Sequence, residues 1–110
     1  MNNRMTKSSA LATLVDGSGR QFAELFKHGS LVVEIYRPER IDRQQPHSRD
    51  ELYVIIAGTG KFVNGDQVQE FEPGEVLFVP AGVAHRFEEF SDDFCTWVMF
   101  YGPEGGEARC

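Results

Sequence analysis

The residues best equipped for chemistry lie in Gln45-Pro46-His47-Ser48-Arg49-Asp50-Glu51, which runs directly into the apolar Leu52-Tyr53-Val54-Ile55-Ile56. Positions 45, 47 and 51 differ by even numbers, so in extended chain an amide, an imidazole and a carboxylate share one face. Neutral imidazole and carboxylate are the usual ligands of a divalent transition metal. His47 and Glu51 would share a face of a helix as well. Pro46 and the β-branched and aromatic run at Tyr53 to Ile56 favour strand, turn, strand, with Ser48 to Asp50 as the turn. A buried, unpaired Glu51 would cost several kcal/mol, so it needs a cation: a metal, or an arginine such as Arg49 or Arg86.

A second stretch, Gly74 to His85, reads as turn, short buried strand, turn, and a histidine that opens the next strand. Pro73-Gly74 suits the centre of a type II turn, and Pro80-Ala81-Gly82 a type I turn with Pro second and Gly fourth. If the strand opened by His85 lies beside the first stretch, Gln45, His47, Glu51 and His85 converge. Two histidines and a carboxylate are the ligand type of non-haem Fe(II) sites. A carbonyl oxygen from Gln45 would complete a set that suits Mn, Fe, Ni or Zn. A structural zinc site would close itself with firm ligands, often cysteines, and no Cys-x-x-Cys is present. Tyr53, at the parity of Glu51, is the one nearby candidate for acid–base catalysis. Tyr53, Ile55 and Phe87 are expected to line the cavity. His28 is expected in solvent, Cys95 buried and inert, and Glu89 and Arg86 on the surface.

These two stretches resemble the paired motifs of the cupin family, G-x5-H-x-H-x3,4-E-x6-G and G-x5-P-x-G-x2-H-x3-N. The first is matched at His47, Glu51 and Gly58, and the second from Gly74 through Pro80 and Gly82 to His85. Fifteen residues, Thr59 to Pro73, separate them, as in small bacterial-type members. The chain departs from the motifs at Gln45, where the leading histidine would stand, near Glu39 for the opening glycine, and at Glu89 for the closing asparagine. The resemblance implies a jelly-roll β-barrel with its ligand site inside. It implies a divalent metal and a small chelating oxygenated substrate, with dioxygenase, isomerase or lyase chemistry among the family's reactions. A metal- or small-ligand-binding module without turnover is the alternative, and a metal-free sugar-binding or epimerase-like cupin a further one.

The elements that must position these groups are strands. Gln21 to Lys27, Leu31 to Tyr36, Lys61 to Val63, Gln67 to Phe71, Val76 to Val79, His85 to Phe90 and Phe94 to Tyr101 carry strand patterns punctuated by turn signals. Asn64-Gly65 is a hairpin cue. Ala10 to Val15 fits a short helix or an edge strand, and Asp16 to Gly19 a turn whose Gly-x-Gly lacks the other features of a phosphate loop. Many short strands without a long helix indicate an all-β sandwich or barrel, a single domain over 1–110 with loose tails at 1–9 and 103–110.

Composition narrows the partners. A net charge of −6 without a Lys/Arg cluster disfavours nucleic acid and anionic membranes. No apolar run approaches a membrane span, Ala10 to Val15 is too short and interrupted to be expected as a signal peptide, and two cysteines make no disulfide framework. A cytoplasmic address is the default. Leu52 to Ile56 and Phe94 to Tyr101 are apolar at both parities, so both faces need cover. A second sheet within the chain or a homodimer partner would supply it, and the homodimer is expected.

Overall fold

The computed structural model describes residues 3–15 and 21–108. The turn expected at Asp16 to Gly19 and the second cysteine, Cys110, lie outside the described residues. Among the described residues one helix, α1 (Lys7–Ala12), precedes eight strands: β1 (Phe22–His28), β2 (Leu31–Tyr36), β3 (Asp50–Ala57), β4 (Gly60–Asn64), β5 (Gln67–Phe71), β6 (Val76–Val79), β7 (His85–Glu88) and β8 (Cys95–Tyr101). They form two antiparallel sheets, ordered β1-β2-β8-β3-β6 and β5-β4-β7, in the jelly-roll manner. No helix among the described residues is long and apolar enough to cross a membrane.

The helix answers a choice that the sequence leaves open. Thr6 and Ser9 form a reciprocal capping box, in which Ser9 N donates to Thr6 Oγ1 (3.1 Å) and Thr6 N to Ser9 Oγ (3.0 Å). α1 therefore begins inside the stretch expected to be loose. At the other end, the backbone N–H groups of Gly105 and Glu107 donate to Ser48 O (2.6 Å) and Asp50 Oδ2 (2.8 Å), tying that tail to the start of β3.

Turn chemistry is close to expectation but shifted at two places. Pro73 and Gly74 take the central positions of a turn from Glu72 to Glu75, with φ +90° at Gly74, as type II requires. In the next turn Val83 N donates to Pro80 O, so Pro80 is first and Gly82, with φ +82°, is third. That is a type II turn, and the type I reading is corrected: glycine is needed where φ is positive. At the hairpin, Asn64 pairs with Gln67, so the loop is Gly65-Asp66 and only its first residue has positive φ. That is the pattern of a type II′ turn with glycine first. Glu89 also has positive φ (+50°). Left-handed backbone is where asparagine is tolerated and glutamate is not favoured, which gives the motif's closing asparagine a physical meaning.

Inter-strand register decides which side chains face inward. Glu51 sits opposite Phe100 and Val79, Tyr53 opposite Val98 and Leu77, and Glu34 opposite Val98. Tyr53, Ile55, Phe62, Phe71, Val79, Phe87, Phe94 and Val98 fill the space between the sheets. The even residues of β8 thus point inward, and Tyr53, Ile55 and Phe87 line the interior as their parity predicts. On the outer face, Ala10 of α1 packs with Ala23, Ile35, Ala57 and Cys95, flanked by Leu11, Ile56 and Trp97. Part of the second apolar face is therefore covered by a helix of the same chain.

Candidate metal centre

Two hydrogen bonds bring the distant stretches together. Gly82 N, in the turn before β7, donates to His47 O (2.7 Å), and Ala81 N donates to Asp50 Oδ1 (2.9 Å). The turn preceding His85 is thereby stapled to both ends of the segment from His47 to Asp50. As a result His47 Nδ1 lies 3.3 Å and His85 Nε2 2.8 Å from the same oxygen, Glu51 Oε1. The imidazole centroids are 5.1 Å apart. One ligand atom from each of the three residues falls within 4.8 Å of the others.

The protonation chemistry of this triplet is unusual. Glu51 is fully buried (0% exposed) and His85 nearly so (4%). His85 Nδ1 lies 2.9 Å from Val83 O, an acceptor, so it carries a proton and donates it there. In a neutral ring Nε2 then presents a lone pair to the Glu51 carboxylate. Despite the short separation Nε2 makes no hydrogen bond, and Glu51 Oε2 has no partner either. Two buried acceptors facing each other require a cation between them, either a second proton or a metal ion. The pKa of His85 points the same way. Burial lowers it, but the Glu51 carboxylate and the Val83 carbonyl together outweigh burial and leave it raised. For His47 burial prevails over the attraction of Glu51, and its pKa is lowered, which keeps that ring neutral. The arginine alternative is not what the structure shows: Arg49 donates to Gly102 O and Ser30 O, and Arg86 to Glu88.

Gln45 is placed differently from the other three. Residues 37–49 form no strand, so alternation does not apply there, and the side chain of Gln45 is exposed. Its neighbour Gln44 is the inward-facing amide. Gln44 Nε2 donates to Asp42 Oδ2 (2.8 Å), and Tyr53 OH donates to Gln44 Oε1 (2.9 Å). Tyr53 is fully buried, and burial, with the Glu51 charge second, raises its pKa well above the usual phenol value. Its proton is held on the oxygen and committed to Gln44.

Asp42 is the residue that sequence reasoning misses. It is buried, and besides Gln44 Nε2 it accepts from Tyr36 OH (2.5 Å), Gln44 N (3.1 Å) and Phe87 N (2.8 Å). It thus fastens the irregular segment carrying His47 to β2 and β7. A cleft of about 590 Å³ opens outside the triplet, lined by Glu34, Tyr36, Gln44, His47, Phe100 and Phe22 among others. Arg43 stands at its exposed rim. Cys95 is buried and free, with burial raising its thiol pKa; His28 is exposed, and Glu89 pairs with Lys61 (2.7 Å) at the surface.

Comparison with known proteins agrees with the fold. A family profile described as a cupin domain matches residues 32–101. An uncharacterized protein of Streptomyces coelicolor is 32% identical over 103 residues, covering 92% of this chain and 95% of its own. Acireductone dioxygenase 1 of Pectobacterium atrosepticum is 37% identical over 73 residues, which span 61% of this chain and 42% of that enzyme. Among solved structures, a Cupin 2 conserved barrel domain protein from Salinispora arenicola superposes with a TM-score of 0.67 at 15% identity, covering 93% of this chain and 89% of that one.

Proposed function

The chain belongs to the cupin family, and from that premise we propose that it binds a divalent transition metal through His47, Glu51 and His85. We propose further that it is a metal-dependent enzyme of dioxygenase, isomerase or lyase type, acting on a small organic compound with adjacent oxygens. One observation carries the reading: His85 Nε2 and Glu51 Oε2 are buried together without a hydrogen bond, and that ring nitrogen faces Glu51 Oε1 at 2.8 Å. The donor set, two imidazole nitrogens and a carboxylate, suits Fe, Mn, Ni or Zn.

When bound, such an ion supplies Lewis acidity toward a chelating oxygen or, if iron, the capacity to activate O2. The chain's own residues hold the three donors in place. Val83 O fixes the tautomer of His85, and Phe100, edge-on to His47 at 5.1 Å, restricts that ring. Gln44, held by Asp42 and Tyr53, presents a fixed amide to the cleft. Gln45, at the motif's leading position, is retained as a fourth donor that would have to turn inward. A binding module without turnover is the second reading. It is favoured by the absence, among the described residues, of an uncommitted acid–base group touching the triplet, since the Tyr53 proton is already spent on Gln44.

Elemental analysis of untagged protein purified without chelator tests the metal. Less than about a tenth of an equivalent after incubation with Mn, Fe, Ni and Zn salts would sink the proposal. Binding should also weaken with acid. The raised pKa of His85 means that protons compete from above the usual imidazole value of 6.5, while His47 joins only at lower pH. Affinity should therefore fall about tenfold per pH unit at first and more steeply below. A pH-independent affinity between 5 and 8 contradicts it. O2 uptake and product analysis with diketones and 2-oxo acids separate enzyme from binding module.

We also propose a homodimer. Val76 and Phe78, on the edge strand β6, are 62% and 46% exposed beside the half-buried Leu52, Val54 and Met99 on the outer face. Sedimentation equilibrium should give twice the chain mass, and Phe78→Glu should shift it to one. A wild-type monomer at micromolar concentration would refute the pairing.

A further inference from the structure

Glu34 is the acid of the cleft for which neither the fold nor the metal reading has a use. It lies on the inward face of β2, half-buried, in the wall that also holds His47. Among the described residues its carboxylate makes no hydrogen bond and no ion pair. Arg43 lines the same cleft but is exposed and forms no ion pair with Glu34. Three aromatic rings share the lining: Phe22, Tyr36 and Phe100. Phe22 is 58% exposed, an aromatic left in solvent at the mouth.

A carboxylate without a partner among aromatic rings is the chemistry that receives an organic cation. Ring faces attract a positive charge through their quadrupole, best when the cation is weakly hydrated, and a carboxylate adds direct Coulomb attraction. We infer that the cleft binds a small ligand carrying an alkylammonium group, with the cationic head against Glu34 and the rings of Phe22, Tyr36 and Phe100. A quaternary ammonium fits best, since it brings no N–H that the apolar rings would leave unsatisfied. The ionisation of Glu34 agrees: burial first, and then the like charges of Glu24 and Glu51, raise its pKa, a cost that an adjacent cation relieves. This assignment deepens the proposed function by naming the charge of the ligand's far end, beyond the end that would meet the metal at His47.

Calorimetric titration of metal-free and zinc-loaded protein with choline and its uncharged isostere 3,3-dimethylbutan-1-ol tests the assignment. Choline should bind at least about tenfold more tightly than the isostere, and Glu34→Gln should erase that difference. The substitution preserves shape and removes no hydrogen bond, so the fold and the zinc stoichiometry should be unchanged. Equal binding of the two compounds, no choline binding, or full choline affinity in Glu34→Gln would each overturn the inference. Zinc uptake without charge-selective choline binding defeats this inference alone. Charge-selective binding without zinc uptake defeats the metal reading alone.

Discussion

His85→Ala is expected to weaken metal binding by at least about a hundredfold and to leave the purified protein close to metal-free. The histidine supplies one of three donors, and it is the one whose tautomer is set by a carbonyl outside the group, Val83 O. Its loss also removes the partner that faces Glu51 Oε1 at 2.8 Å. The consequence should be visible in thermal unfolding. An ion held at about a hundred times its Kd stabilises the wild type by about 2.7 kcal/mol. For a domain of this size that corresponds to a shift in Tm of about 10 °C. The shift should vanish in His85→Ala. Glu51→Gln, which keeps the shape of the side chain, should abolish it as well and so separates lost coordination from a damaged fold. Gln45→His should tighten binding if that side chain turns inward, and leave affinity unchanged if it stays in solvent. Wild-type metal content and an undiminished Tm shift in both His85→Ala and Glu51→Gln would remove the triplet from consideration.

Two members of the triplet could be read from sequence because they follow strict local rules, whereas His47 lies in irregular chain and is brought in by the hydrogen bond from Gly82 N to its carbonyl. Glu51 lies on a strand whose alternation shows, and His85 follows a turn whose glycine marks positive φ. Gln45, by contrast, is exposed. Parity presupposes extended chain, and the segment before Asp50 is irregular, so the inward amide belongs to Gln44. Asp42 gave no local signal at all: its partners Tyr36 and Phe87 are on other strands, and a carboxylate in a charged stretch reads as solvated. The two apolar parities of β8 were ambiguous for a related reason. Both of its faces are covered, one by the opposing sheet and one in part by α1, and a six-residue helix has too little periodicity to announce itself.

That invisible residue carries the second large effect. Asp42→Asn should destabilise the fold by about 4 kcal/mol, because the carboxylate accepts four hydrogen bonds and an amide can accept at only one of its two atoms. Oδ2 alone receives Gln44 Nε2 and the buried Phe87 N–H, and placing NH2 there sets donor against donor. Flipping the amide displaces the Tyr36 hydroxyl and Gln44 N contacts instead. Either orientation loses two bonds to a charged acceptor, each worth about 1.5–3 kcal/mol. The damage should travel along the chain, since Asp42 fastens the segment that delivers His47, and Gln44 bridges Asp42 to Tyr53 beside the metal group. Chemical denaturation of the metal-free variant measures the first effect. Metal titration of the folded variant measures the second, expected as a roughly tenfold loss of affinity without loss of any donor. Unfolding free energy and metal affinity both at wild-type values would show that the segment is held in place by something other than Asp42. A large loss of stability with undiminished affinity would confine Asp42 to the fold and leave His47 to the hydrogen bond between its carbonyl and Gly82 N.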